Sequence, residues 1–178
     1  MSTLYIANTG ETASNGVWRA TNGDFQYQYV TFTPGQDINL DLVSIKTRPA
    51  LAFTISSKFQ VGLYGAGSDS LTPGSLLAYL SWPATPVADS YNDYSPASSL
   101  GLSSGNQYWL GFTLSEEDGA SNLTRVRLSA NPGNFTSLGA GWSAPALNYE
   151  SSNRPTGSNA TLGFPLVYSL YGTPRAVC

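Results

Sequence analysis

The stretch Phe25-Gln-Tyr-Gln-Tyr-Val-Thr-Phe-Thr33 alternates with the period of a β-strand and then changes phase. Successive side chains of an extended strand point to opposite faces, so Phe25, Tyr27 and Tyr29 share one face and Gln26 and Gln28 the other. Val30 and Phe32 then move the apolar set to the opposite face, which implies a bulge or a change of packing partner. Downstream, Ile38-Asn-Leu-Asp-Leu42 alternates again, and Val43 and Ile45 shift parity in the same way. Residues 51–55, 59–64, 76–82, 107–114, 123–129 and 162–171 are further strands by the same reading. Each is rich in β-branched or aromatic residues and bounded by turn clusters.

The punctuation agrees. Thr33-Pro-Gly35, Thr72-Pro-Gly74 and Asn131-Pro-Gly133 place proline and glycine as the two central residues of a type II turn. Asn15-Gly16, Asn22-Gly23 and Gly65-Ala-Gly67 mark other tight connections. Many short strands without helical patterning predict an all-β fold: one antiparallel β-sandwich over residues 1–178, jelly-roll-like, with long loops. Residues 83–99 and 139–157 read as those loops, and loops of this length in a compact domain are usually functional. Residues 3–8 read as an N-terminal edge strand and 172–178 as an extended tail, both as arms for an interface.

Composition narrows the function. The chain has 178 residues, of which 41% are hydrophobic and only 11% charged, with a net charge of −3, against about 25% charged in an average domain. Such a balance offers no field for nucleic acid or an anionic membrane surface. Histidine is absent, which excludes His-based triads, His metal ligands and imidazole acid–base chemistry. The single cysteine, Cys178, allows no intramolecular disulfide. Met1–Asn8 lacks the basic region and apolar core of a secretory signal, so synthesis in a cytoplasm is expected. The sequons at Asn122, Asn134 and Asn159 are read as chance matches in turns.

Candidate chemistry is sparse. Glu116-Glu-Asp118 puts neighbouring carboxylates on opposite faces of an extended chain, which is not the facing pair a glycosidase uses. Asp89-Ser-Tyr-Asn-Asp93 offers oxygen ligands but lacks the central glycine and terminal glutamate of a calcium loop, and reads as a hydrogen-bonded Asx-rich segment. Gly101-Leu-Ser-Ser-Gly105 has no histidine to act as its base. No catalytic residue, metal ligand or cofactor is expected. Trp109 reads as core. Trp82 and Trp142 lie beside prolines at strand ends or in loops, positions that suit an interface or a sugar-stacking platform.

Phe59-Gln-Val-Gly-Leu-Tyr64 followed by Leu71-Thr-Pro-Gly-Ser-Leu-Leu-Ala78 resembles a strand–turn–strand unit of bacterial extracellular β-sandwich modules, the choice-of-anchor and PEP-CTERM-associated domains. Leu102-Ser-Ser-Gly-Asn-Gln-Tyr-Trp-Leu110 is similar to the element that follows in them, and the likeness extends over residues 25–114. It implies a jelly-roll-like fold and surface display, and it carries no catalytic residues. Those modules normally have a signal peptide and a C-terminal anchor, neither of which is visible here. A signal-less, neutral β-sandwich also resembles the decoration (cement) proteins of tailed-phage capsids, by class and context rather than by motif.

The expectation is therefore a non-enzymatic virion protein on the capsid surface that binds the major capsid protein. A homo-oligomer is expected, with a trimer as one option. The alternative is a carbohydrate-binding or adhesion module of a tail fibre or cell surface. Candidate interface residues are Leu4, Tyr5, Ile6, Trp82, Tyr91, Tyr94, Trp142, Tyr149, Arg175 and Val177.

Overall fold

Among the described residues every regular element of the computed structural model is a β-strand, and every pairing is antiparallel. The structure describes residues 1–8, 13–19, 27–47, 59–81, 87, 89–114, 124–130, 137–144, 148–151, 160–161 and 166–176. The first strands are β1 (Thr3–Ala7), β2 (Ala13–Arg19), β3 (Tyr27–Phe32), β4 (Ile38–Lys46), β5 (Phe59–Ala66), β6 (Pro73–Ser81) and β7 (Tyr91–Pro96). They are followed by β8 (Leu100–Leu102), β9 (Tyr108–Leu114), β10 (Thr124–Ala130), β11 (Ser137–Leu138), β12 (Asn148–Ser151), β13 (Ala160–Thr161) and β14 (Tyr168–Pro174). The expectation of an all-β antiparallel fold holds.

One sheet runs β11-β1-β14-β4-β7-β6-β5-β9-β3-β12-β13, with β8 extending the β7 flank of β4, and curls into a half-barrel. A separate ribbon pairs β10 with β2, which lies against β9 and β3. Residues 137–151 begin against β1 and end against β3. Leu138 pairs with Ile6, Ser143 and Thr33 exchange backbone bonds at 2.7 and 3.0 Å, and Tyr149 pairs with Tyr29. This one segment thus brings the two ends of the sheet together.

The curl encloses a single main core. Ile6, Val30, Phe32, Ile38, Leu40, Val43, Ile45, Val61, Leu63, Leu80, Leu110, Phe112, Leu166 and Leu170 pack there, from both halves of the sheet. The phase change in β3 is a change of packing partner. Its register with β9 runs unbroken from Gln28↔Phe112 to Phe32↔Tyr108, so there is no bulge. Val30 and Phe32 enter the main core, while Tyr29 joins Tyr64 and Trp109 in a second cluster on the opposite face. Tyr29 and Tyr64 meet edge to face at 5.3 Å, and their rings lie over Gly111, which pairs with both Tyr29 and Gly62. A Cβ at Gly111 would stand 2.6 Å from ring carbons of both tyrosines. Glycine is needed there for close approach, not for an unusual backbone angle.

Several sequence expectations need correction. Residues 83–99 are not one loop: β7 pairs with β4 and places Tyr94 in the core. Its Tyr-Asn-Asp-Tyr composition looks loop-like, but strand membership follows from pairing and burial more than from intrinsic preference. Likewise 139–157 contains β12 and the Thr33–Ser143 bridge. Residues 172–174 are not a free tail, because β14 continues to Pro174, opposite Ile38. The start of the chain is not an open edge strand along its length, since β1 has β14 on one side and β11 on the other. Gly35 and Gly74 do not take the positive φ of a type II turn; among the described glycines only Gly105 and Gly141 have it, both at 77°. A Cβ at Gly35 or Gly74 would instead strike the carbonyl of Ala140 or Ala66, so both glycines permit close backbone passage. The predicted strand at 51–55 and the turn at 131–133 lie outside the described residues.

The buried tyrosine lid over Gly111 has a direct test. Gly111→Ala should destabilise the protein by about 1–3 kcal/mol through overpacking, seen as a lower urea midpoint with an unchanged m-value. Gly65→Ala, with nothing within 4 Å of its Cβ, should have no such packing penalty.

Candidate functional site

Each aspartate with a described side chain is already bonded within the chain. Asp37 accepts from the Ser104 N–H at 2.8 Å and from Arg175 at 3.2 Å. Asp41 accepts from the Thr173 hydroxyl at 2.7 Å, Asp93 from the Ser44 hydroxyl at 2.6 Å, and Asp89 pairs with Lys46 at 3.3 Å. Asp69 accepts from the Leu71 and Thr72 N–H groups, both at 3.0 Å, and from the Thr72 hydroxyl at 2.8 Å. The Thr72 hydroxyl above all, with these N–H groups, holds its carboxyl below the ordinary 3.8. Among the described residues no three acidic, His or Cys side chains gather into a metal site.

The Asx-rich segment is a buried hydrogen-bond clamp. Asn92, at the start of β7, accepts from the Val87 N–H at 2.7 Å. Its amide donates to the carbonyls of Val87 and Ser90 and to the Thr47 hydroxyl, at 3.0–3.2 Å. Thr47 donates in turn to the Val87 carbonyl at 2.7 Å. Asn92 and Thr47 are both buried, so their polar atoms need these partners. Asp93 points to the other face of β7 from Asn92, which separates the oxygens a calcium ion would need to share.

The candidate interface residues fall into three groups. Leu4 is 41% and Tyr91 43% exposed, with the Lys46 ammonium 5.6 Å from the Tyr91 ring centre. Arg175 is also exposed, held by its ion pair with Asp37. Tyr5, Ile6, Tyr94 and Trp142 are buried instead. Burial pushes the Tyr94 hydroxyl well above its ordinary pKa. Trp82, Val177 and the side chain of Tyr149 lie outside the described residues.

Trp142 is buried by a stack of rings. It lies 4.6 Å from Tyr5 at 12° and 6.2 Å from Phe32 at 13°, and Phe32 stacks in turn on Tyr108 at 5.9 Å. Tyr5 comes from β1 and Phe32 from β3, so Trp142 fills the seam that residues 137–151 close. Its ring faces protein on both sides and is not a platform for a sugar.

Two apolar patches stand outside the core. The first lies on β6 and the turn before it: Leu71, Leu76, Leu77 and Tyr79 are 54, 40, 48 and 48% exposed. The second lies on β1 and β11: Leu4, which pairs with Tyr171 of β14, and Leu138, which pairs with Ile6 of β1, are exposed. The β6 patch was not among the expected residues. Its signal in the sequence is Leu76-Leu77-Ala78-Tyr79-Leu80, a run apolar at both parities, which a strand with one wet face does not need. A groove of about 410 Å³ between β4, β14 and the β7–β8 connection is lined by polar and apolar groups alike, among them Asn39, Leu40, Asp41, Pro96, Ser98 and Thr173.

No family model matches the chain, and no curated protein matches it in sequence. What it defines is a class: an all-β antiparallel protein with a curled sheet.

Trp142→Ala should cost about 3–5 kcal/mol, as for a core aromatic, whereas an exposed interface ring would cost almost nothing; urea unfolding followed by far-UV circular dichroism separates the two. Asp37 supplies a pH test. Its carboxyl is held below 3.8 by the Ser104 N–H first and Arg175 second. A lowered folded-state pKa means that the contribution is present above the unfolded value and is lost as pH falls through the folded one. Ser104 amide protection should therefore drop only below about pH 3.8, and Asp37→Asn should lower it above that pH while matching the wild type in acid, as read by hydrogen exchange.

Proposed function

We propose that this chain is a non-enzymatic virion structural protein, a capsid decoration protein that stabilises a shell by burying apolar surface against the major capsid protein. The observation that carries the reading is the pair of exposed leucines on β1 and β11. Leu4, opposite Tyr171 of β14, and Leu138, opposite Ile6 of β1, stay exposed although each is large enough to have served the core. Burying half-exposed leucines of this kind contributes about 1 kcal/mol or more each on docking. Repetition over many copies on a lattice multiplies such modest contacts into durable attachment. The low charge of the chain also suits the core of an interface, from which charged residues are depleted.

Tyr79 and Tyr91 do not line the groove by Asp41. The sugar-binding alternative has no comparable observation behind it.

The test is co-sedimentation with decoration-free capsids of the genome that encodes the chain. Wild-type protein should bind and raise the temperature at which the capsids open. Leu4→Glu combined with Leu138→Glu should weaken binding at least about tenfold while leaving the circular dichroism spectrum unchanged. Failure of the wild-type protein both to bind and to protect the capsid overturns the reading.

A further inference from the structure

Asp41 holds a place in the sheet that no other residue of β4 shares. On the β14 side Tyr171 pairs with Leu42 and the next residue, Gly172, with Leu40, so Asp41 is an extra residue, a β-bulge. On the other side β7 pairs with β4 up to Val43, then turns away to pair Ser95 and Pro96 with β6. The β8 strand takes over only at Leu40. Asp41 is therefore the one residue of β4 with no strand partner on either flank. Bulges re-aim a side chain and are frequent beside active sites. This one is fixed from across the strand, because a Cβ at Gly172 would stand 2.8 Å from the Asn39 carbonyl oxygen.

The groove opens at this gap. Residues 95–99 face a stretch of β4 that holds only Asp41 and Leu42. The lining joins Asn39 and Asp41 of β4 and Thr173 of β14 to Pro96, Ser98 and Ser99 of the connection. The Thr173 hydroxyl donates to Asp41 Oδ2 at 2.7 Å, which leaves Oδ1 without a donor among the described residues. No cation among the described residues pairs with this carboxylate: Lys46 is held by Asp89 and Arg175 by Asp37. Arg175 shows what such a place accepts. Its guanidinium donates to the Asp37 carboxylate at 3.2 Å and to the Ser103 hydroxyl at 3.5 Å. The groove offers a second set of the same acceptors, Asp41 with Ser98 and Ser99.

We propose that this groove binds an arginine side chain of a partner protein, with the guanidinium on Asp41 Oδ1 and the serine hydroxyls. A guanidinium carries five donors and no acceptor, which fits a carboxylate oxygen flanked by hydroxyls. Leu40 and Pro96 give the apolar part of the lining, which suits the methylene stem of arginine. At about 410 Å³ the groove is larger than a bare metal ion needs, and among the described residues no three acidic groups gather to hold one. An anionic ligand would meet the carboxylate as its like, and a neutral one would leave its charge uncompensated. Lysine fits less well, because a compact ammonium is more strongly hydrated and loses more on leaving water. The proposal does not rest on capsid binding, which is placed on Leu4 and Leu138.

The test titrates N-acetyl-arginine methylamide into the full chain and follows backbone amide shifts by NMR. The amides of Asn39, Asp41, Ser98 and Ser99 should move together, with a dissociation constant of about 1–10 mM, as expected for one side chain on a partly exposed ion pair. The citrulline analogue, neutral and of the same shape, should bind at least about tenfold more weakly. The lysine analogue should also bind more weakly than arginine. Asp41→Asn keeps an oxygen for the Thr173 hydroxyl and should weaken arginine binding at least about tenfold. Ser98→Ala, exposed and outside every strand, should weaken it about threefold without touching the sheet. Wild-type amides that do not move overturn the proposal, as does equal binding of the citrulline or lysine analogue, or arginine binding undiminished in both variants. None of these results bears on capsid co-sedimentation.

Discussion

A curled sheet has two ends, and the stack of Tyr5, Trp142, Phe32 and Tyr108 holds these ends together. Tyr5 belongs to β1, near one end of the strand order, and Phe32 to β3, near the other. Trp142 stands between them on a segment bonded to both. The Gly139 N–H donates to the Tyr5 carbonyl at 2.7 Å, and Ser143 and Thr33 exchange bonds on the far side. Ring pairs in such offset arrangements contribute about 0.5–1.5 kcal/mol each beyond their buried area. Their greater effect is topological: without this closure the Tyr5 and Phe32 rings would stand open to water, and the main core would lose one wall. Gln36 adds to the lock by donating to the Tyr5 hydroxyl at 2.6 Å.

The second constraint is that the β5–β9–β3 part of the sheet is apolar on both faces. Val61, Leu63, Leu110, Phe112, Val30 and Phe32 fill the main core, and Tyr29, Tyr64 and Trp109 occupy the reverse face over Gly62 and Gly111. The glycines leave room for the rings to lie flat against the backbone. Beyond Tyr64, on β6, the reverse face runs out of cover, and Leu76 and Tyr79 are left half in water. The exposed ridge is thus a continuation of a packed apolar surface rather than a scatter of single residues, and continuity is what separates a meaningful patch from an ordinary one.

The exposed leucines of β1 and β11 are the surface proposed to meet the capsid. That proposal rests on burial of apolar groups, which suits a chain with 11% charged residues and no histidine. Asn92 of the Asx-rich segment has structural work. Asn92 and Thr47 clamp the approach to β7, and Asp37 ties Arg175 and the 103–105 turn to the start of β4.

Alternation and turn residues determined the all-β class and the places of β3, β4, β5, β6, β9 and β10, because strand periodicity is a local property of the chain. The phase change at Val30 was legible too, though not its cause, since a bulge and a second core leave the same mark in a sequence. Only the tertiary structure decided that Tyr94 and Trp142 are core, that residues 91–96 pair with β4, and that β14 continues through Pro174. An aromatic in a polar, proline-flanked stretch is exposed or buried according to what the rest of the chain lays over it. Pairing partners far apart in sequence settle that question, and no local pattern encodes them.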